Sequence, residues 1–167
     1  MIDLTETQRI LAIEEIKQLK ARYFRCMDKK DWAGYLAVFT PDAIVDSTEA
    51  FTPTDHTGAP MNVGGAPPVA PNPDLYNSDI VKFVADLSAM LGPVSTVHHG
   101  HMPEIELLSP TTARGTWSME DMLRFPEGSP TRTMHGFGHY QETYERLPEG
   151  WRIKSTKLTR LRVDTTS

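Results

Sequence analysis

Histidines give this sequence its first chemical signal. His98, His99 and His101 crowd one segment, His135 and His139 fall in another, and His56 stands apart. Both segments alternate apolar and β-branched residues and read as strands, in which successive side chains point to opposite faces. On that parity His99 and His101 share a face and His98 looks the other way. A metal ion would find at most two ligands in the run and would need a distant third, so the spacing argues against a metal site. Moving a proton suits these residues better, because an imidazole with an unperturbed pKa of about 6.5 works as acid or base near neutrality.

Parity also sorts a second segment. Trp117, Met119, Asp121 and Leu123 fall on one face, and Ser118, Glu120, Met122 and Arg124 on the other. A carboxylate on an apolar face costs several kcal/mol unless it is paired or holds a proton. Asp121 is therefore either a site residue or one half of a buried ion pair with an arginine, and parity leaves both open. Asp28 is out of place for another reason. It sits in the last turn of a helix, where the negative end of the dipole disfavours a carboxylate, although Lys29 and Lys30 stand beside it to neutralise it. Tyr23 precedes it by five residues, about 140° around an ideal helix, so the two share a pocket only if that pocket straddles the helix end. Arg160 lies late in the last strand-like run, Leu158-Thr159-Arg160-Leu161-Arg162.

The elements that must hold these residues follow from pattern. Thr5 with Gln8 forms a capping box, and Ile10, Ile13, Ile16, Leu19, Tyr23 and Met27 continue at helical steps, which predicts a long first helix. Asp31 caps a second, short helix through Trp32, Tyr35, Leu36 and Phe39, stopping before Thr40-Pro41. Ala43 to Val45 suggests a short strand. Residues 51–74 carry six prolines and three glycines with no lysine or arginine, and read as a long loop near the pocket mouth. A third helix runs from about 78 to 91 and ends at Gly92-Pro93. Four strands follow, about 94–108, 112–125, 133–147 and 150–163, joined by turns short enough to make them antiparallel neighbours. Helices first and a meander afterwards predict one α+β domain over residues 1–167, a curved mixed, mostly antiparallel sheet wrapped on helices with an internal pocket.

Composition narrows the partners. The 167 residues are 39% hydrophobic, enough for a core and a cavity, and 17 basic against 22 acidic side chains give a net charge of −5. No basic cluster exists to replace counterions, so neither nucleic acid nor an anionic membrane is expected. A single cysteine, Cys26, excludes an internal disulfide and fits a reducing cytoplasm. Asp3, Glu6, Arg9, Glu14 and Glu15 interrupt the first twenty residues, leaving no apolar signal core. No Gly-x-Gly-x-x-Gly or phosphate loop occurs, and no cofactor is expected.

Several short motifs resemble one family. The helix end Tyr23-Phe24-Arg25-Cys26-Met27-Asp28, the run His98-His99-Gly100-His101-Met102-Pro103-Glu104-Ile105, Ala113-Arg114-Gly115-Thr116-Trp117 leading to Glu120-Asp121, and Gly150-Trp151-Arg152-Ile153 resemble SnoaL-like proteins, which share the cone-shaped α+β barrel of nuclear-transport-factor type. Within that superfamily the chain looks most similar to the bile-acid 7-alpha-dehydratases and more distantly to the scytalone dehydratases. The resemblance implies a shared site of Tyr23, Asp28, His98, Asp121 and Arg160. The proline- and glycine-rich loop departs from the dehydratase pattern.

These readings converge on a cofactor-independent dehydratase for a hydroxylated, carbonyl-activated ring substrate, steroid-like, polycyclic or aromatic. His98 oriented by Asp121 is the expected base, Tyr23 the donor to a carbonyl or leaving oxygen, and Asp28 either tunes Tyr23 or shares the proton traffic. Arg160 holds an anionic group or neutralises a carboxylate. Trp117, Met119, Met134 and Phe137 are expected to line the pocket. A ketosteroid-type isomerase, a polyketide-cyclase-like enzyme and a non-catalytic small-molecule binder are the alternatives. The resemblance, with bulky side chains left over on the outer strand face, implies a homo-oligomer, dimer or trimer.

Overall fold

The computed structural model describes residues 4–61 and 69–167. Helix α1 spans Glu6–Asp28 and begins as expected: the Gln8 amide donates to Thr5 Oγ1 at 3.3 Å and the Thr5 amide donates to Gln8 Oε1 at 2.8 Å. Its apolar stripe, Ile16, Leu19, Tyr23 and Met27, is buried against the sheet. The chain leaves α1 through Lys30, the one non-glycine residue with positive φ among those described (59°), and re-enters a helix at once because the Asp31 carboxylate caps α2, Trp32–Leu36, at the Gly34 amide. Helix α2 stops at Leu36, short of Phe39. That residue instead opens β1, Phe39–Asp46, which tolerates Pro41 because the ladder is interrupted between Phe39 and Ile44.

Beyond β1 the residues read as a loop are partly ordered by the body of the protein. Pro53 bridges to Arg160 and Thr54 to Pro60, a 3-10 turn covers Pro73–Leu75, and a two-residue strand β2, Tyr76–Asn77, pairs with β1. The stretch 62–68 of that expected loop lies outside the described residues. Helix α3, Ile80–Leu91, is capped by Asp79, whose carboxylate accepts from the Lys82 amide.

The four long strands are β3 (Ser95–Leu107), β4 (Thr112–Arg124), β5 (Thr133–Leu147) and β6 (Gly150–Thr166). They form an antiparallel meander, and β1 adds to β6 in parallel, giving one six-stranded mixed sheet in the order β2-β1-β6-β5-β4-β3. Strict alternation of burial along β4 and the first half of β5 makes one face of the curved sheet a core wall facing α1. This α+β architecture, few helices on a curved mixed sheet, agrees with the sequence expectation; the parallel β1–β6 pairing supplies the mixed part, and β1 is longer than the short strand expected around residues 43–45.

Candidate functional site

A cavity of about 150 Å³ opens between α1, α3 and the inner face of the sheet. Tyr23, His98, Asp121 and Arg160 all reach it, so four of the five residues singled out in the sequence border one space. The fifth, Asp28, stands directly behind His98.

His98 points inward on β3, its side chain 5% exposed. Its Nδ1 lies 2.7 Å from Asp28 Oδ1 and its backbone N–H donates to Asp28 Oδ2 at 2.9 Å. Thr96, two residues earlier on the same strand face, donates its hydroxyl to Asp28 Oδ1 at 2.9 Å and receives Lys30 Nζ at 2.8 Å. Burial pushes the Asp28 carboxyl up, but the bonds donated by His98 and Thr96 outweigh it and leave the group below the ordinary carboxylate value. An ionised Asp28 can only accept, which assigns the proton to Nδ1 and leaves Nε2 with a free lone pair. The placement of Asp28 at the end of α1 thus has a reason: the α1 terminus brings it to the start of β3. Phe24 lies nearly parallel to the imidazole with centroids 6.3 Å apart and fixes its ring plane from the helix side.

The expected pairing of His98 with Asp121 is corrected by this geometry. The two residues are direct neighbours in the β3–β4 register, yet the Asp121 carboxylate turns to Arg160 on β6, two strands away. Arg160 Nη2 donates to Oδ2 at 2.7 Å and Nη1 to Oδ1 at 3.1 Å, with both side chains at most 4% exposed. Arg160 also donates from Nε to the Ala50 carbonyl at 2.8 Å and from Nη1 to Met119 Sδ at 3.5 Å. The alternative that parity left open, a buried ion pair with an arginine, describes Asp121. The pair crosses β5 at Gly136, where an added Cβ would fall under 3.0 Å from both Arg160 Nη1 and Asp121 Oδ1.

Three phenols meet at the inner end of the cavity. Tyr23, Tyr35 and Tyr140 all border it, and burial, the largest cause in each, pushes their ionisation well above the ordinary phenol value. Each stays protonated, and so a hydrogen-bond donor, at neutral pH. Tyr35 and Tyr140 are site residues that the sequence reading missed. Tyr140 shares strand parity with Met134 and was recoverable; Tyr35 on a five-residue helix had no such signal.

The expected apolar lining is corrected in part. Met134 borders the cavity, whereas Phe137, of opposite parity, lies on the outer face with its ring 4.2 Å from that of His135 and under the Arg162 guanidinium. Met119 is buried but spends its sulfur on Arg160, and Trp117 lies deeper, its Nε1 donating to the Tyr144 hydroxyl at 2.8 Å. Neither borders the cavity. Tyr144 in turn donates to Glu142, which also accepts from Lys20 Nζ at 2.5 Å and Thr156 Oγ1 at 3.0 Å. That fully buried lysine–glutamate pair gave no sign in the sequence.

The remaining strand histidines do stand apart from His98. His99, His101 and His135 surround Glu120 on the outer face at 3.4, 3.8 and 3.0 Å. Among the described residues no group of three or more histidine, cysteine or carboxylate side chains is arranged to hold a metal ion. No helix of the described residues is long and apolar enough to cross a membrane.

Residues 8–157 match the model of the SnoaL-like domain. The chain belongs to the SnoaL-like family. Solved structures agree on the fold of this SnoaL-like domain. A protein named as a candidate scytalone dehydratase from Novosphingobium aromaticivorans superposes with a TM-score of 0.75 at 15% identity, covering 98% of this chain and 93% of its own. The Kfla4162 protein from Kribbella flavida gives 0.72 at 20% identity, over 93% and 95% of the two chains. The hexachlorocyclohexane dehydrochlorinase LinA-type3 from Novosphingobium barchaimii gives 0.67 at 14% identity, over 98% and 95%. At these identities the likeness is one of fold, and the chemistry of this SnoaL-like domain has to be argued from its own site.

Proposed function

We propose that this SnoaL-like domain is a lyase that eliminates water from a hydroxylated, carbonyl-activated ring substrate, with its own side chains as acid and base. One observation carries the reading: an imidazole whose Nδ1 is held at 2.7 Å by the Asp28 carboxylate leaves a basic Nε2 on the wall of a largely apolar cavity. In the step envisaged, Nε2 takes the proton from the carbon beside the carbonyl. The C–H electron pair passes through the enolate into a new C=C bond as the C–O bond to the departing hydroxyl breaks. A phenol of the Tyr23, Tyr35, Tyr140 group protonates that oxygen, and the imidazolium then gives its proton to the phenolate left behind, so the products are the unsaturated ketone and one water. Asp28 stabilises the imidazolium while it exists and fixes the tautomer that precedes it. The fold neighbours include proteins named for dehydratase and dehydrochlorinase activities, both eliminations, which supports the class and leaves the finer likeness to bile-acid 7-alpha-dehydratases as part of this proposal.

The isomerase alternative needs a free carboxylate on the cavity. Asp121 is engaged on both oxygens by Arg160 and Asp28 is held by His98 and Thr96, while Asp46 at the rim accepts from the amide and hydroxyl of Thr48 through Oδ1 alone. The commitments of Asp121 and Asp28, the two carboxylates beside the phenols and the imidazole, support an imidazole base and hence elimination. Incubation with 3-hydroxycyclohexanone and, separately, with cyclohex-3-en-1-one tests the reading: loss of one water mass from the first, abolished by His98→Ala, is expected, and conversion of the second to its conjugated isomer with no loss of water from the first would replace elimination with isomerisation.

A further inference from the structure

We propose that the natural substrate is a single, uncharged ring carrying the hydroxyl and carbonyl, with no fused ring system and no carboxylate. The inference rests on the reading of this cavity as the reaction chamber, and it narrows the broader steroid-like, polycyclic or aromatic expectation that the sequence allows.

Size is the first argument. The cavity measures about 150 Å³. Sites for drug-sized ligands run from about 300 to 1,000 Å³, and an apolar cavity of about 150 Å³ accommodates one benzene-sized molecule. A tetracyclic nucleus has about three times the carbons of a single ring and exceeds the space before any substituent is counted. The inner walls cannot yield much. Tyr35 and Tyr23 are 1% and 4% exposed and pack edge-on among Phe39, Tyr140 and Phe24, and close-packed interiors resist expansion.

Charge is the second. The charged side chains on the wall, among the described residues, are Asp46, Asp121 and Arg160; Asp28 behind His98 is offset by Lys30, which donates to Thr96 beside it, so the one guanidinium is already matched by Asp121 and Asp46 is left as a surplus carboxylate. An anionic ligand would meet Arg160 with both arms on Asp121 and no second cation in reach on the wall. Arg160 does keep something for a neutral acceptor. Its Nε donates to Ala50, both hydrogens of Nη1 go to Met119 and Asp121, and one of Nη2 goes to Asp121, which leaves one Nη2 hydrogen uncommitted by these bonds. One N–H, three phenols and one imidazole lone pair match a ketone oxygen, a hydroxyl and an acidic C–H; they do not match a carboxylate, which would arrive without a counter-charge.

Calorimetry on the full chain near pH 7 tests this with probes that cannot turn over. Cyclohexanone is expected to bind saturably. 2-Decalone is expected to bind at least tenfold more weakly, and 5α-androstan-3-one and 4-oxocyclohexanecarboxylate not measurably. Leu87→Ala, which removes a partly buried cavity-lining side chain from α3, is expected to improve 2-decalone at least tenfold relative to cyclohexanone. Equal or tighter binding of the steroid or the carboxylate overturns the proposal, and so does the absence of binding by every ring. Turnover is read separately. If cyclohexanone binds but 3-hydroxycyclohexanone loses no water, the elimination reading fails and the ring assignment stands; if water is lost while the steroid binds best, the ring assignment alone fails.

Discussion

His98 and Asp121 are partners in strand register but not in chemistry: the imidazole donates its Nδ1 hydrogen bond to Asp28 on the helix, and the carboxylate opposite it is held by Arg160. Two carboxylates that look equivalent in sequence thereby acquire different work. One orients a base, and the other closes a charge pair that would be costly if broken.

The first prediction separates them by catalysis. Asp28→Asn keeps the shape but offers Nδ1 a neutral partner that no longer stabilises an imidazolium, so kcat on a hydroxyketone substrate is expected to fall by about 10² or more with little change in KM. His98→Ala combined with Asp28→Asn is expected to be scarcely worse than His98→Ala alone, because residues that act as one unit are not additive. Multiplicative losses in steady-state kinetics would show that the two act independently.

Asp28 also predicts an acid limb. Its carboxyl is more acidic folded than unfolded, so the unfolded chain takes up a proton first as pH falls. The stability it contributes is fully present above the ordinary carboxylate value and is lost as pH drops through the lower folded value. Chemical denaturation of wild type and Asp28→Asn across that acid window should show the two curves converging at low pH; a constant offset would mean that Asp28 is not ionised in the folded protein.

For Asp121 the expected loss is in stability. Asp121→Asn strands the Arg160 guanidinium at 2% exposure, and breaking a buried pair this way costs about 3–5 kcal/mol. Turnover per folded molecule is expected to fall far less than in Asp28→Asn. The double change Asp121→Asn with Arg160→Met should recover part of the stability, since an apolar replacement leaves no buried charge. Urea denaturation with activity normalised to folded protein checks both statements.

What the sequence makes legible follows from how local the cause is. The capping box at Thr5 and Gln8, the four long strands and the inward parity of His98 and Asp121 depend on residues within a few positions, and all are found in place. Partner choice is not local. That His98 meets Asp28 depends on where α1 ends relative to β3, and that Asp121 meets Arg160 depends on a strand between them lacking a side chain. Phe137 shows the limit in small: reading it and Met134 as one lining violates alternation, and the strand resolves the conflict in favour of Met134.

Gly136 follows directly from that intervening strand. Because a Cβ there would collide with both Arg160 Nη1 and Asp121 Oδ1, Gly136→Ala is expected to push the pair apart and destabilise the domain by about 1–3 kcal/mol, despite alanine's better fit to a strand. In the background of Asp121→Asn with Arg160→Met the same substitution should cost measurably less. An equal cost in both backgrounds, read from thermal melts, would place its effect in the backbone instead of in the ion pair.

The last prediction concerns the second buried pair. Lys20 is fully buried on α1, donates to Glu142 at 2.5 Å, and holds its ammonium 3.8 and 3.7 Å from the ring centres of Tyr23 and Tyr140. Burial lowers its pKa, and Glu142 acts in the opposite direction. Lys20→Met preserves the stem and removes the charge, which leaves Glu142 with only the Tyr144 and Thr156 hydroxyls for its carboxylate, and is expected to cost about 3–5 kcal/mol. Adding Glu142→Gln should return much of that loss, because the remaining group is neutral and keeps two hydroxyl partners. If the pair served only the fold, the doubly substituted protein would retain wild-type kcat. The cation faces two of the three phenols that border the cavity, so loss of its pull on their rings is expected to lower kcat several-fold in that stabilised variant while KM holds. Wild-type kcat in the double variant would assign Lys20 and Glu142 to the core alone.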